Sequence, residues 1–256
     1  MDETPFELLT RRSAVTGVLA SFALVALVRE ARAVEGPHPI TVRKWMADQQ
    51  EIAETLAAGR MTGSKWAQNV RELAAAVDVA ELMAVVRRSR IVTANPPSHN
   101  DPQKRFVRFL DEQGQPRQLA YGIALFDFQP HNVVTPHGHR HMVSAHMVLE
   151  GRLRVRNFDR LADEDATMVI RATKDYVARV GDVSTMAPEE DNVHWFVPLG
   201  GPATTLDLVV SGLDAGAPDH LIQAIDPLRA ARRLDGTLVA PIIGFGEAAR
   251  RYTARV

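Results

Sequence analysis

The chain contains no cysteine. Disulfides, thiolate metal sites, iron–sulfur clusters and a cysteine nucleophile are therefore excluded, and any metal has to be held by nitrogen and oxygen. Excess charge is missing as well. Thirty Lys and Arg stand against 31 Asp and Glu, a formal net charge of −1 over 256 residues. That balance offers no electrostatic footprint for nucleic acid and none for an acidic polymer. No internal repeat or low-complexity segment is visible. With 46% hydrophobic and 24% charged residues, the composition is that of a globular protein with one sizeable core and a smaller appendage.

The apolar run Val18 to Val28 is only eleven residues long, short of the roughly 20 needed to span a bilayer. It has the length of a signal-peptide core. Arg11-Arg12 precede it, and Ala31-Arg32-Ala33 puts small residues at the −3 and −1 positions of a cleavage site after Ala33. Thr10-Arg11-Arg12-Ser13-Ala14-Val15 resembles a twin-arginine export signal. Residues 1–33 are thus expected to be such a signal, with the twin-arginine export machinery as partner and the periplasm as destination. An uncleaved membrane anchor is the alternative. Without a cysteine after the apolar run, a lipid anchor is excluded.

Residues 34–102 read as a linker followed by helices. Thr41 is a suitable N-cap for a helix reaching about Ala58 and closed by Gly59, with Trp45, Ile52 and Leu56 at helical spacing. A second helix is expected from Ser64 through Trp66, Val70, Leu73 and Val77, and Asp78 can cap a third carrying Leu82, Val85 and Val86. The Pro- and Asn-rich stretch 93–102 marks a boundary. From Arg105 the pattern changes to strands: Phe106 to Leu110, Ala120 to Phe128, Arg152 to Arg156, Ala166 to Arg171, Tyr176 to Val180, Val193 to Val197 and Thr204 to Val210. Short strands separated by Gly, Pro and Asp turns imply a mainly β sandwich or closed barrel over 103–212. Residues 213–256 form a C-terminal extension, with a helix expected around His220 to Arg233.

Four of the nine histidines, His137, His139, His141 and His146, fall within ten residues. His137 and His139 are two apart, so on a strand they share one face. His194 would come from a later strand, returned by the Gly181-Asp182 turn and Pro188. Three imidazoles suit iron, nickel, copper or zinc and leave coordination positions open. His146 shares parity with Ser144 and could face the cavity as a partner to a ligand or as a buried structural residue. Asp207 could orient a ligand histidine or act as a base. His141 is expected at the barrel mouth, and Trp195 in the core. Tyr121 and Tyr176 are possible phenolic donors, and Leu125, Phe126 and Phe128 could line the cavity.

The order His137-x-His139, Gly151, Gly181-Asp182, Pro188, His194 resembles the cupin superfamily. Ser144 occupies the place where that superfamily commonly has a Glu. A three-His site without carboxylate, with Met142, Asn192-x-His194-x-Phe196 and Leu206-Asp207, resembles the thiol dioxygenases acting on cysteamine and on N-terminal cysteines. Over roughly 130–212 the resemblance implies a double-stranded β-helix, or jelly-roll barrel. It also implies a divalent metal on His137, His139 and His194: Fe(II) first, with manganese, nickel or zinc as alternatives. The implied activity is dioxygenation of a small molecule, possibly a thiol, with O2 as co-substrate, and a homodimer is plausible in such barrels. His141 and His146 depart from the pattern of that branch. A non-catalytic metal- or ligand-binding protein, or a zinc or manganese isomerase or hydrolase, remain the competing readings.

Overall fold

Side chains alternate across a strand, so a strand covered on both faces is buried throughout. Strand β5 (Met142–Glu150) shows this: every residue but the last is buried. In the computed structural model, which describes residues 39–93, 100–214, 216 and 221–252, its odd positions Val143, Ala145, Met147 and Leu149 pack with three helices. Its even positions Ser144 and His146 face a cavity inside a barrel.

The helices are α1 (Val42–Ala57), α2 (Gly63–Ala76) and α3 (Val79–Arg88). Thr41, Thr62 and Asp78 cap them, each side-chain oxygen accepting a backbone N–H three residues on. Gly59, at φ +66°, closes α1. Trp45, Trp66 and Leu82 are almost fully buried against Ile123, Leu206 and Leu208 of the barrel. Burying each contributes about 1.5–3 kcal/mol. Residues Ile40–Val256 form one compact unit. Among the described residues, no helix is long and apolar enough to cross a membrane.

The barrel strands are β1 (Arg90–Thr93), β2 (Gln103–Arg108), β3 (Gly122–Phe128), β4 (Val134–Arg140), β5, β6 (Arg152–Glu164), β7 (Thr167–Arg179), β8 (Val183–Met186), β9 (Val193–Pro198) and β10 (Ala203–Ser211). After them come β11 (Leu221–Ile225), β12 (Ala231–Arg232), β13 (Leu238–Ile243) and the helix α4 (Phe245–Arg251). One sheet has the order β1-β2-β3-β10-β5-β8, the other β11-β4-β9-β6-β7-β13-β12. Pairing starts at the β6–β7 hairpin and moves outward to β5–β8, β4–β9 and β3–β10, all antiparallel. The chain is therefore one long hairpin wound across two sheets. This strand order is a double-stranded β-helix.

Four expectations change. The helix expected from His220 to Arg233 is not formed over its described part. Leu221–Ile225 is instead a strand on the edge of β4, followed by a 3-10 turn at Pro227–Arg229 and the short β12. An open edge at β4 would leave backbone groups unpaired, and Pro227 interrupts any helix through this segment. The separate strands expected at 166–171 and 176–180 are one strand, β7, held continuous by pairing with β6. Leu125 packs toward the helices, because its neighbour Phe126 takes the cavity face. Finally, strands begin before Arg105, since Arg90–Thr93 already forms β1. The expected export signal at 1–33, most of the linker, and residues 94–99 lie outside the described residues.

Candidate metal centre

His137 and His139 stand on β4, and Gly138 between them turns to the opposite face, where an added Cβ would lie 3.1 Å from Val193 Cγ2. Pro136 has no N–H for the ladder, and the β4–β9 register shifts between Val134 and His137. Beyond that shift His137 and His194 are direct cross-strand partners. This pairing is how the third histidine arrives: antiparallel β9 places it beside the pair on β4.

The three rings cluster tightly. Ring centroids are 4.7 Å apart for His137–His139, 4.3 Å for His137–His194 and 4.9 Å for His139–His194. Ligand nitrogens from all three lie within 4.8 Å of one another. His137 Nδ1 donates to the Thr135 carbonyl at 2.7 Å, leaving Nε2 as its lone-pair nitrogen. That Nε2 lies 3.0 Å from His194 Nε2, a separation two nitrogens can have when each is about 2.0–2.1 Å from a common ion. Methionine sulfurs flank the other two rings, Met142 Sδ at 3.2 Å from His139 Nδ1 and Met186 Sδ against His194 Nδ1. Burial pushes the His137 imidazole down to about 4, partly countered by its bond to Thr135, and His194 well below the ordinary 6.5. Both are held neutral, the form a metal requires. The donor set and its protonation therefore fit a divalent ion.

His146 and Asp207 lie beside this cluster. They face each other across β5 and β10, with Asp207 Oδ1 3.4 Å from His146 Nε2. His146 Nδ1 is 3.3 Å from Thr205 Oγ1, and its ring meets His194 edge-on at 5.5 Å. Burial lowers His146 to about 3 and raises the Asp207 carboxyl to about 8. Asp207 therefore reaches the cluster through His146 rather than touching a ligand ring.

These groups line a cavity of about 390 Å³, walled by Phe126, Val134, Val209, Ile222 and Phe245, with Lys104 on one side. The remaining expectations sort by strand parity. Phe128 packs with Val134 and Phe196 in a separate apolar cluster. Tyr121 is buried toward the helices, its hydroxyl 3.5 Å from the Met46 carbonyl, and Tyr176 packs beside Phe128 and Phe196. Neither tyrosine lines the cavity. Trp195 is buried against Val133, Val197 and Tyr252, under the Arg156 guanidinium. His141 sits in the β4–β5 turn at φ +58°, half-buried and 3.5 Å from Asp214, outside the cluster. Lys104, Ile222, Phe245 and Met186 were not anticipated. Ile222 and Phe245 come from the C-terminal extension, the first on β11 and the second at the start of α4.

No protein-family model matches the chain, and no curated protein matches it. Solved structures do. A double-stranded β-helix domain protein from Klebsiella pneumoniae is 16% identical, covering 45% of this chain and 76% of its own at a TM-score of 0.31. A cupin 2 conserved barrel domain protein from Rhodopseudomonas palustris is 13% identical, covering 58% and 80% at 0.35. An oxalate oxidase is 18% identical, covering 46% and 54% at 0.32. The fold assignment rests on the strand order itself.

Proposed function

We propose that the chain is a metal-dependent cupin enzyme, an Fe(II) dioxygenase acting on a small molecule, with His137, His139 and His194 as ligands. The observation that carries the reading is the convergence of three imidazoles from two strands into one cavity, two of them held neutral by burial. A bound divalent ion would keep its charge and open positions there, and iron would supply redox chemistry with O2.

The chain's own contribution is a largely apolar cavity and one managed proton. Asp207 holds its proton at neutral pH and His146 stays neutral, so the pair can give or take a proton beside the cluster. A store or scaffold for metal has no use for a desolvated carboxyl in its cavity, because burying it costs stability. The same pair also serves a second reading, in which zinc or manganese acts as a Lewis acid for hydrolysis or isomerisation. The twin-arginine-like segment Thr10 to Val15 supports export to the periplasm, and a homodimer belongs to the same proposal.

Metal analysis of the full chain after export, beside a variant with His137, His139 and His194 all changed to Ala, tests the reading. Stoichiometric iron that is lost in the variant, with O2 uptake on a substrate screen, supports it. Stoichiometric zinc moves it to Lewis-acid chemistry. No metal in either protein sinks the metal site.

A further inference from the structure

We propose that the cavity receives a small organic anion bearing a single carboxylate, and that Lys104 is the side chain that binds it. The inference rests on the metal-site reading above and names the substrate class for that same cavity.

Lys104 stands on β2 opposite Phe126 of β3, and Phe126 in turn stands opposite Thr205 of β10. This row leads across the sheet to the wall of the histidine cluster. The Lys104 ammonium lies 5.2 Å from the centroid of the Phe126 ring, and the same ring meets His146 edge-on at 5.1 Å. Among the lining residues Lys104 is the one ammonium and Asp207 the one carboxyl. Asp207 faces His146, and no carboxylate lies within ion-pair distance of Lys104 among the described residues. Elsewhere on the same strand the pattern differs: Arg105 forms a two-point pair with Asp127, at 2.5 and 2.9 Å. The lysine left without an acid is the one that faces the cavity.

Charge then selects the ligand. A divalent ion on three imidazoles adds positive charge to that of Lys104, and Asp207, turned toward His146, is the one acid of the lining to set against that sum. An anion entering it meets attraction at both ends. A substrate carrying an ammonium group instead would set like charge against Lys104. A phosphate is poorly served, since there is one lysine and no arginine fork among the lining residues. Phe126, Val209, Ile222 and Phe245 suit an apolar carbon skeleton between the two charged ends.

The test is calorimetric titration of the metal-loaded full chain with propionate, propionamide and propylamine, in wild type and in the Lys104→Met and Lys104→Arg variants. Metal content and melting temperature are measured on each preparation beforehand. Propionate is expected to bind at least tenfold more tightly than propionamide, with that preference lost in Lys104→Met and largely kept in Lys104→Arg. Propionate affinity unchanged in Lys104→Met, or a preference for propylamine, overturns the proposal. A chain that holds no metal yet binds propionate through Lys104 would sink the metal reading and leave the anion site standing. A metal-loaded chain indifferent to Lys104→Met would do the reverse.

Discussion

Asp207 and His146 are register partners on β10 and β5, both buried, with Asp207 Oδ1 3.4 Å from His146 Nε2. Burial sets their charges in opposite senses: the carboxyl keeps its proton up to about 8, and the imidazole takes none until about 3. The folded value of Asp207 lies above its ordinary 3.8, so the stability it contributes is complete below that value and is lost as the pH rises to about 8. Asp207→Asn removes this slope. In metal-free protein, the melting temperature of wild type relative to Asp207→Asn should fall steadily between about pH 5 and about pH 8. A difference that stays constant with pH would refute the assignment.

The imidazoles act in the other direction. His137 and His146 have folded values depressed from 6.5 to about 4 and about 3. Stability is fully present above about 6.5 and lost as the pH falls toward those values, about 3 kcal/mol for His137 and about 5 kcal/mol for His146. Metal-free protein should therefore lose urea resistance steeply below about pH 6. Because metal binding needs neutral imidazole, and His137 in the folded chain stays neutral down to about 4, affinity for a divalent ion should fall only as the pH approaches that value.

Removing one ligand should matter more than removing a contact of the neighbouring His146. His194→Ala is expected to weaken metal binding beyond the roughly 10–100-fold that loss of an outer partner costs. Thr205→Val, which removes the hydroxyl 3.3 Å from His146 Nδ1, should leave metal content unchanged. Competition with a chelator of known affinity measures both, and equal losses in the two variants would contradict the ligand assignment.

Gly151 turns the chain between β5 and β6 at φ +74°, where an added Cβ would lie 2.4 Å from the Pro202 carbonyl oxygen and 2.8 Å from Ala203 Cα. Gly151→Ala therefore combines backbone strain with overlap against backbone that cannot move aside, and should cost about 3 kcal/mol or more. Gly59 has a similar φ, +66°, but open space around it, so Gly59→Ala should cost only about 1 kcal/mol. Denaturant unfolding of the two variants separates strain from overlap. Equal losses would show that the Pro202 overlap contributes nothing.

Leu82 of α3 is fully buried in the cluster that also holds Ile123, Leu206 and Leu208. Leu82→Ala should destabilise by about 3 kcal/mol through the cavity it leaves. Because the helices and the barrel share that core, Trp fluorescence and far-ultraviolet dichroism should shift together in one transition. A helical transition that separates from the barrel transition would show that the layer is only loosely attached.

Much of this protein was readable without a structure. The helix starts at Thr41, Thr62 and Asp78 depend on a cap and an apolar stripe within a few residues of each other, although only the first and third caps were picked out. The strands carrying His194 and Asp207 belong to the expected series, and two residues of separation alone put His137 and His139 on one face of a strand. Ser144 and His146 share the cavity face for the same reason. Longer-range features were misread. The segment after residue 220 has local apolar spacing compatible with a helix, yet it is a strand because β4 leaves an edge to be paired. Likewise β7 runs unbroken because β6 lies alongside it.

The sequence by itself determined the chemistry available: no thiol, balanced charge, and imidazoles spaced to share a strand face. Only the tertiary structure decided which of them meet. Register between β4 and β9 sets His194 against His137, and the rows across β2, β3 and β10 bring Lys104 to the same cavity. Alternation and capping are local properties of the chain, whereas register is a relation between strands dozens of residues apart, settled by the packing of the whole barrel.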